Sequence, residues 1–200
     1  MSFLILLGVA AVVAFWFVCA YNGLISLKNQ VANAWKQIDV QLKRRHDLIP
    51  NLIESVKGAM NFERQTLEAV VQARNTAIAA AKGGTGALPS AQQVQQTASA
   101  EGQLTASLGR LFAVVEAYPD LKATGNIRAL QEELTSTENK IAFSRQLYND
   151  TSTEYNTKQQ QFPTNLVAGI AGASAAQLWE ITDAAEREVV KVDLGMSPKA

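Results

Sequence analysis

A single cysteine, Cys19, and a single histidine, His46, occur among 200 residues. One cysteine cannot close an intrachain disulfide, which excludes a stapled secreted fold. One histidine, with Lys43 three residues before it, supplies no Glu-x-x-His pair for a di-iron bundle and no Cys/His set for zinc. It also leaves serine hydrolysis without a second candidate base, and no G-x-S-x-G motif is present. A charge excess is missing too: 18 Lys and Arg balance 18 Asp and Glu, so nothing drives counterion release from a nucleic acid. The expectation is a non-enzyme without catalytic, cofactor-binding or metal-ligating residues, cofactor or small-molecule substrate. What is plentiful is apolar surface, 48% of the residues, enough for a packed core.

Residues 3–20 carry no charge, and the first charged side chain is Lys28. At 1.5 Å per residue such a run covers a hydrocarbon core of roughly 30 Å. A cleaved signal peptide would open on a basic stretch and end on small residues. Here nothing basic precedes the run, and Phe15, Trp16, Phe17 and Tyr21 crowd its end. Residues 1–21 are therefore predicted to be a membrane anchor. Lys28, Lys36, Lys43, Arg44 and Arg45 follow it, so the short N-terminus is expected outside and the remainder in the cytoplasm. For Cys19 two readings stay open, a small apolar filler or a palmitoylation site.

Residues 22–162 read as four helices. The first carries Val31, Trp35, Ile38, Leu42, Arg45, Ile49, Leu52 and Val56 at alternating steps of four and three, the a/d spacing of packed helices. Pro50 keeps that phase and is expected inside one helix. Gly58 is read as a turn and Asn61 as the next N-cap. The second helix shows Leu67, Val70, Val71 and Ile78, and ends before a flexible Gly83–Pro89 connector without the Lys-Ser/Thr of a phosphate-binding loop. The third starts near Ser90, with Val94, Ala98, Glu101, Leu104, Leu108, Leu111, Val115 and Tyr118 along its seam, and stops at Pro119-Asp120. In the fourth, Ile127, Leu134, Ile141, Tyr148, Tyr155 and Phe162 recur every seven residues, beside Leu130, Thr137, Ser144, Thr151 and Lys158. With long first and last helices, this pattern predicts an all-α, up-down antiparallel four-helix bundle behind an N-terminal transmembrane helix.

Residues 163–182 are Ala- and Gly-rich, and Ala168, Gly172 and Ala176 repeat every four residues. An interfacial helix, an oligomer-packing helix and a second span all stay open. Residues 183–200 form a tail whose EREVVKVDL alternates like a strand without a partner strand in the chain.

Several blocks resemble the LemA family: IDVQLKRRHDLIPNLIESVKG at 38–58, LEAVVQARN at 67–75, YPDLKA at 118–123, then ENKIAFSRQLYND and EYNTKQQQFPTNLVAG. The resemblance covers nearly the whole chain and implies a bacterial inner-membrane protein with one N-terminal span and a cytoplasmic helical bundle. It brings no catalytic residues.

Two functions fit these features: a self-associating membrane scaffold, forming a homo-oligomer, or a membrane-tethered adaptor for a cytoplasmic enzyme or signalling partner. Membrane lipid is the expected surroundings of the anchor. The Lys43–Asp47 cluster reads either as a solvated patch or as a contact for a protein partner. It lies about twenty residues, or roughly 30 Å of helix, beyond the span, which favours a protein or ligand over lipid. Within it, Arg45 keeps the inward phase of Leu42 and Ile49 and is expected to meet Glu101 or Glu138 across the bundle. The alternative is a guanidinium that reaches water beside Arg44.

Overall fold

A computed structural model describes residues 1–57, 63–82, 88–118 and 125–180. The regular secondary structure among these residues is all helix: α1 (Ser2–Lys57), α2 (Arg64–Ala81), α3 (Ala91–Glu116), α4 (Gly125–Gln160) and the short α5 (Thr164–Ile170). The expected turn at Gly58, cap at Asn61, residues 83–87 of the Gly83–Pro89 connector, the Pro119-Asp120 turn and the tail lie outside the described residues.

α1 is one helix of 56 residues, about 84 Å long at 1.5 Å per residue, with no break where the anchor meets the bundle. Its first third exposes apolar side chains all round, among them Phe3, Leu4, Ile5, Leu6, Val12 and Phe15. The buried residues begin at Leu24 and then follow the expected seam through Val31, Ile38, Leu42, Arg45, Ile49, Leu52 and Val56. Trp35 is only half-buried at the edge of this seam, and Ala34 takes the inner position. α1 is long and apolar enough to cross a membrane.

α4 runs antiparallel to α1, since Trp35 meets Tyr148 and Arg45 meets Glu138. Ile127, Leu134, Ile141, Tyr148 and Tyr155 are all buried, as the heptad requires. Phe162 breaks the expectation: it is 80% exposed, because α4 ends at Gln160 and the chain turns away. On the companion seam Thr137 and Ser144 are buried, but Ser152 replaces Thr151, and Lys158 stays outside.

The two shorter helices pack on the half of α1 and α4 away from the anchor. Ser90 caps α3, its side chain accepting from the Gln93 backbone N–H at 3.1 Å. α2 is rotated from the predicted face: Val70, Ala73 and Ala77 are buried, while Val71 is exposed and Ile78 half-buried. Alanines facing in allow α2 to lie close to α3, where Ala100, Leu104 and Leu108 join the same core. That core unites Ile49, Leu52 and Val56 of α1 with α2, α3 and the first half of α4.

Nearer the anchor a second core is built from α1, α4, the segment after α4 and Val94 at the start of α3. Here the structure corrects the idea of one small-residue helical stripe. α5 ends at Ile170, Gly172 takes φ +59, and residues 173–180 are not helical. A left-handed φ is the conformation that glycine adopts freely. Ala168 and Ala176 are buried against the chain's own bundle rather than left for a neighbour.

Candidate functional site

Where the two cores meet, a layer of charged side chains crosses the bundle. Arg45 is 2% exposed, and its stem enters between apolar neighbours as its a/d phase requires. Its Nη2 donates to the Glu101 carboxylate and, at 3.3 Å, to the Glu101 carbonyl. Nη1 donates to Glu138 Oε2 at 2.5 Å and to Thr105 Oγ1 at 3.1 Å. Both acids expected from the sequence therefore meet Arg45, and the solvent-directed alternative is overturned.

Glu101 has a second partner. Its Oε1 accepts from His46 Nε2 at 2.7 Å, both residues being buried. Burial pushes the Glu101 carboxyl up, yet the hydrogen bond from His46 and the adjacent Arg45 guanidinium outweigh it and hold the group below its ordinary range. Two buried oxygens thus face two donors, which a buried carboxylate needs in order to stay charged.

α2 enters the layer through Pro50. A proline has no N–H, so the i−4 carbonyl in its helix, that of His46, loses its usual donor. Arg74 Nε fills the vacancy, donating to the His46 carbonyl at 2.7 Å. The sequence reading placed Pro50 inside the helix but missed Arg74 and the role of His46. The signal was present: the residue four before an interior proline needs a donor from elsewhere.

The Lys43–Asp47 cluster is consequently divided. Arg45 and His46 belong to the core; Lys43, Arg44 and Asp47 remain exposed, with Arg44 Nη2 on Glu133 Oε1 at 2.8 Å. A cavity of about 500 Å³ adjoins the layer, lined by Arg45, Glu101, Thr105, Glu138, Arg145 and Trp179 among others. Glu101 on α3 and Glu138 on α4 are both engaged by Arg45, and Glu180 also lines the cavity. No cluster of three His, Cys, Asp or Glu side chains suited to a metal ion occurs among the described residues.

Below this layer the segment after α5 is strapped to α4 by two asparagines. Asn156 Nδ2 donates to the Ala176 carbonyl and its Oδ1 accepts from the Ala176 N–H, both at 2.8 Å. Asn149 does the same for Trp179, at 3.0 and 2.8 Å. Each side-chain amide serves as a peptide partner. Seven helical residues rise about 10.5 Å, and three extended residues span about 10 Å, so the two clamps fall in step only if the strap is extended. Tyr148 OH donates to the Gln177 carbonyl at 2.6 Å, and burial, eased by Ser152, pushes its phenol up to about 12. Trp179 closes the strap against Trp35, with centroids 5.8 Å apart, and under the Arg145 guanidinium at 5.3 Å.

Comparison with known proteins places this architecture. The sequence model of the LemA family matches residues 34–194. Protein LemA of Metamycoplasma hominis is 28% identical over 199 residues, covering 98% of this chain and 83% of the relative. Magnetosome protein MamQ 2 of Paramagnetospirillum magneticum is 24% identical over 208 residues, covering 96% of this chain and 76% of its own length. Magnetosome protein MamQ of Magnetospirillum gryphiswaldense is 22% identical, covering 85% of this chain and 68% of its own.

Proposed function

The chain belongs to the LemA family, and from that premise we propose a non-enzymatic, membrane-anchored scaffold that self-associates. The observation that carries this reading is the unbroken α1. One helix is apolar on every side over its first third and supplies the core seam of a bundle over the rest. A span joined to a folded body without a hinge holds that body at a set height and tilt above the bilayer, as a structural element must be held. The Lys28 to Arg45 bias puts the bundle in the cytoplasm, and in a bacterium that membrane is the inner one.

The bundle's charges support a structural role rather than a chemical one. Glu101 is held by Arg45 and His46, and Arg45 also by Glu138, so these charges join helices to one another. Contacts for a second copy remain on the outside: Val40 and Phe143 are exposed, and the α1/α4 register sets them at one level. The adaptor reading rests on the exposed Lys43, Arg44 and Asp47, which remain accessible to a protein partner. Native mass in mild detergent, read together with co-purifying proteins, separates the two. A homo-oligomer supports the scaffold; a monomer carrying a stoichiometric partner overturns it in favour of the adaptor.

A further inference from the structure

α5 lies at the anchor's end of the bundle with an apolar face turned outward. The register that pairs Trp35 with Tyr148 sets Gln160, twelve residues on, opposite Gly23, twelve residues back. The chain then passes through α5 and returns toward the charged layer, since Ala176 meets Asn156 and Trp179 meets Asn149. Residues 161–172 therefore sit level with the end of the apolar run. The packing agrees, because Phe17 and Ala20 of the anchor pack on the core that contains Val167 and Ala168.

At that level Phe162 is 80% exposed, Leu166 62% and Ile170 73%, at four-residue spacing. No charged residue lies between Lys158 and Glu180. Three large apolar side chains facing water would be costly, and α5 is too short to gain stability from its own ladder. An amphipathic segment beside a span fits the headgroup-acyl boundary, with one face on the protein and the other in lipid.

We propose that Phe162, Leu166 and Ile170 form a second membrane contact, a foot that inserts into the lipid interface beside the anchor. The occupant is lipid because the face is continuous with the membrane-spanning helix. The proposal rests on the reading of α1 as a span. With two points of contact, the bundle cannot swing about α1.

The test uses the full chain with Cys19→Ser, carrying one environment-sensitive fluorophore through Val13→Cys, Val40→Cys, Leu166→Cys or Ile170→Cys. Each protein is reconstituted into phosphatidylcholine vesicles with and without bromine on the acyl chains. Labels at 166 and 170 should lose emission in brominated lipid as the label at 13 does, while the label at 40 keeps it. Labels at 166 and 170 that behave like the one at 40 overturn the foot while leaving the anchor intact. Labels there that resist both brominated lipid and aqueous iodide would mean a second copy covers the face, which also overturns it. Loss of quenching at 13 would overturn the span itself, and the foot with it.

Discussion

Away from the apolar third of α1, four helices share an aliphatic core that includes Ile49, Leu52, Val56, Val70, Leu104, Leu111 and Leu134. Nearer the apolar third, α1 and α4 are joined by a strap that is largely not helical, through Tyr148, Tyr155, Trp35, Trp179 and the amides of Asn149 and Asn156. The first region is held by non-directional burial, which any well-spaced apolar seam provides. The second is held by directional bonds that demand particular side chains at particular heights. The Arg45 layer lies between and ties α1 to α3 and α4, while Arg74 brings in α2.

The largest expected effect is at that layer. Arg45→Met leaves Glu101 buried with one donor fewer and should cost ~3–5 kcal/mol, read as a lowered denaturation midpoint in detergent. Lys43→Met, two residues away and exposed, should leave the midpoint unchanged. Equal small shifts would mean that the layer does not join the two regions. Acid should act on the same layer. Because the folded Glu101 carboxyl sits below its ordinary value, its contribution is complete above the unfolded-state value of about 4.3 and is lost as pH falls through the folded value. Glu101→Gln should remove this share of the acid sensitivity while lowering stability at neutral pH.

Next comes the aliphatic core, where Leu134→Ala should cost ~2–5 kcal/mol by transfer and cavity terms. Both regions should then melt together, as calorimetry can show. Smaller again is Asn156→Ala, at about 1–2 kcal/mol for a half-buried amide lost from two hydrogen bonds. Hydrogen exchange should rise over 173–180 while Leu104 to Val115 stay protected. Exchange rising equally in both regions would erase the distinction between them.

The contrast also explains what was legible in the sequence. The seams of α1, α3 and α4 follow from spacing alone, because burial repeats with the helix. Arg45 could be matched to Glu101 or Glu138 because its a/d phase points inward and both acids lie near its level, although spacing alone left a route to water beside Arg44 open. On α2 the expected face of Leu67, Val70, Val71 and Ile78 follows the large apolar residues, whereas the helix buries Ala73 and Ala77 beside Val70 and leaves Val71 exposed. The strap was read as helix because Ala168, Gly172 and Ala176 mimic a helical repeat. Its real determinants, Asn149 and Asn156, lie on another element and carry no periodic signal of their own. Arg74 stayed hidden for a similar reason, since it answers a carbonyl freed by a proline more than twenty residues earlier.

The central claim is that the apolar third of α1 and the bundle move as one body because α1 is unbroken between them. Hydrogen exchange over Phe17–Lys28 of the full chain in a lipid nanodisc tests it most directly. The account predicts slow exchange continuing through Gly23 into Leu24 and Val31, with no gap between span and core. Fast exchange confined to residues about Gly23 would reveal a hinge there, and would contradict the claim.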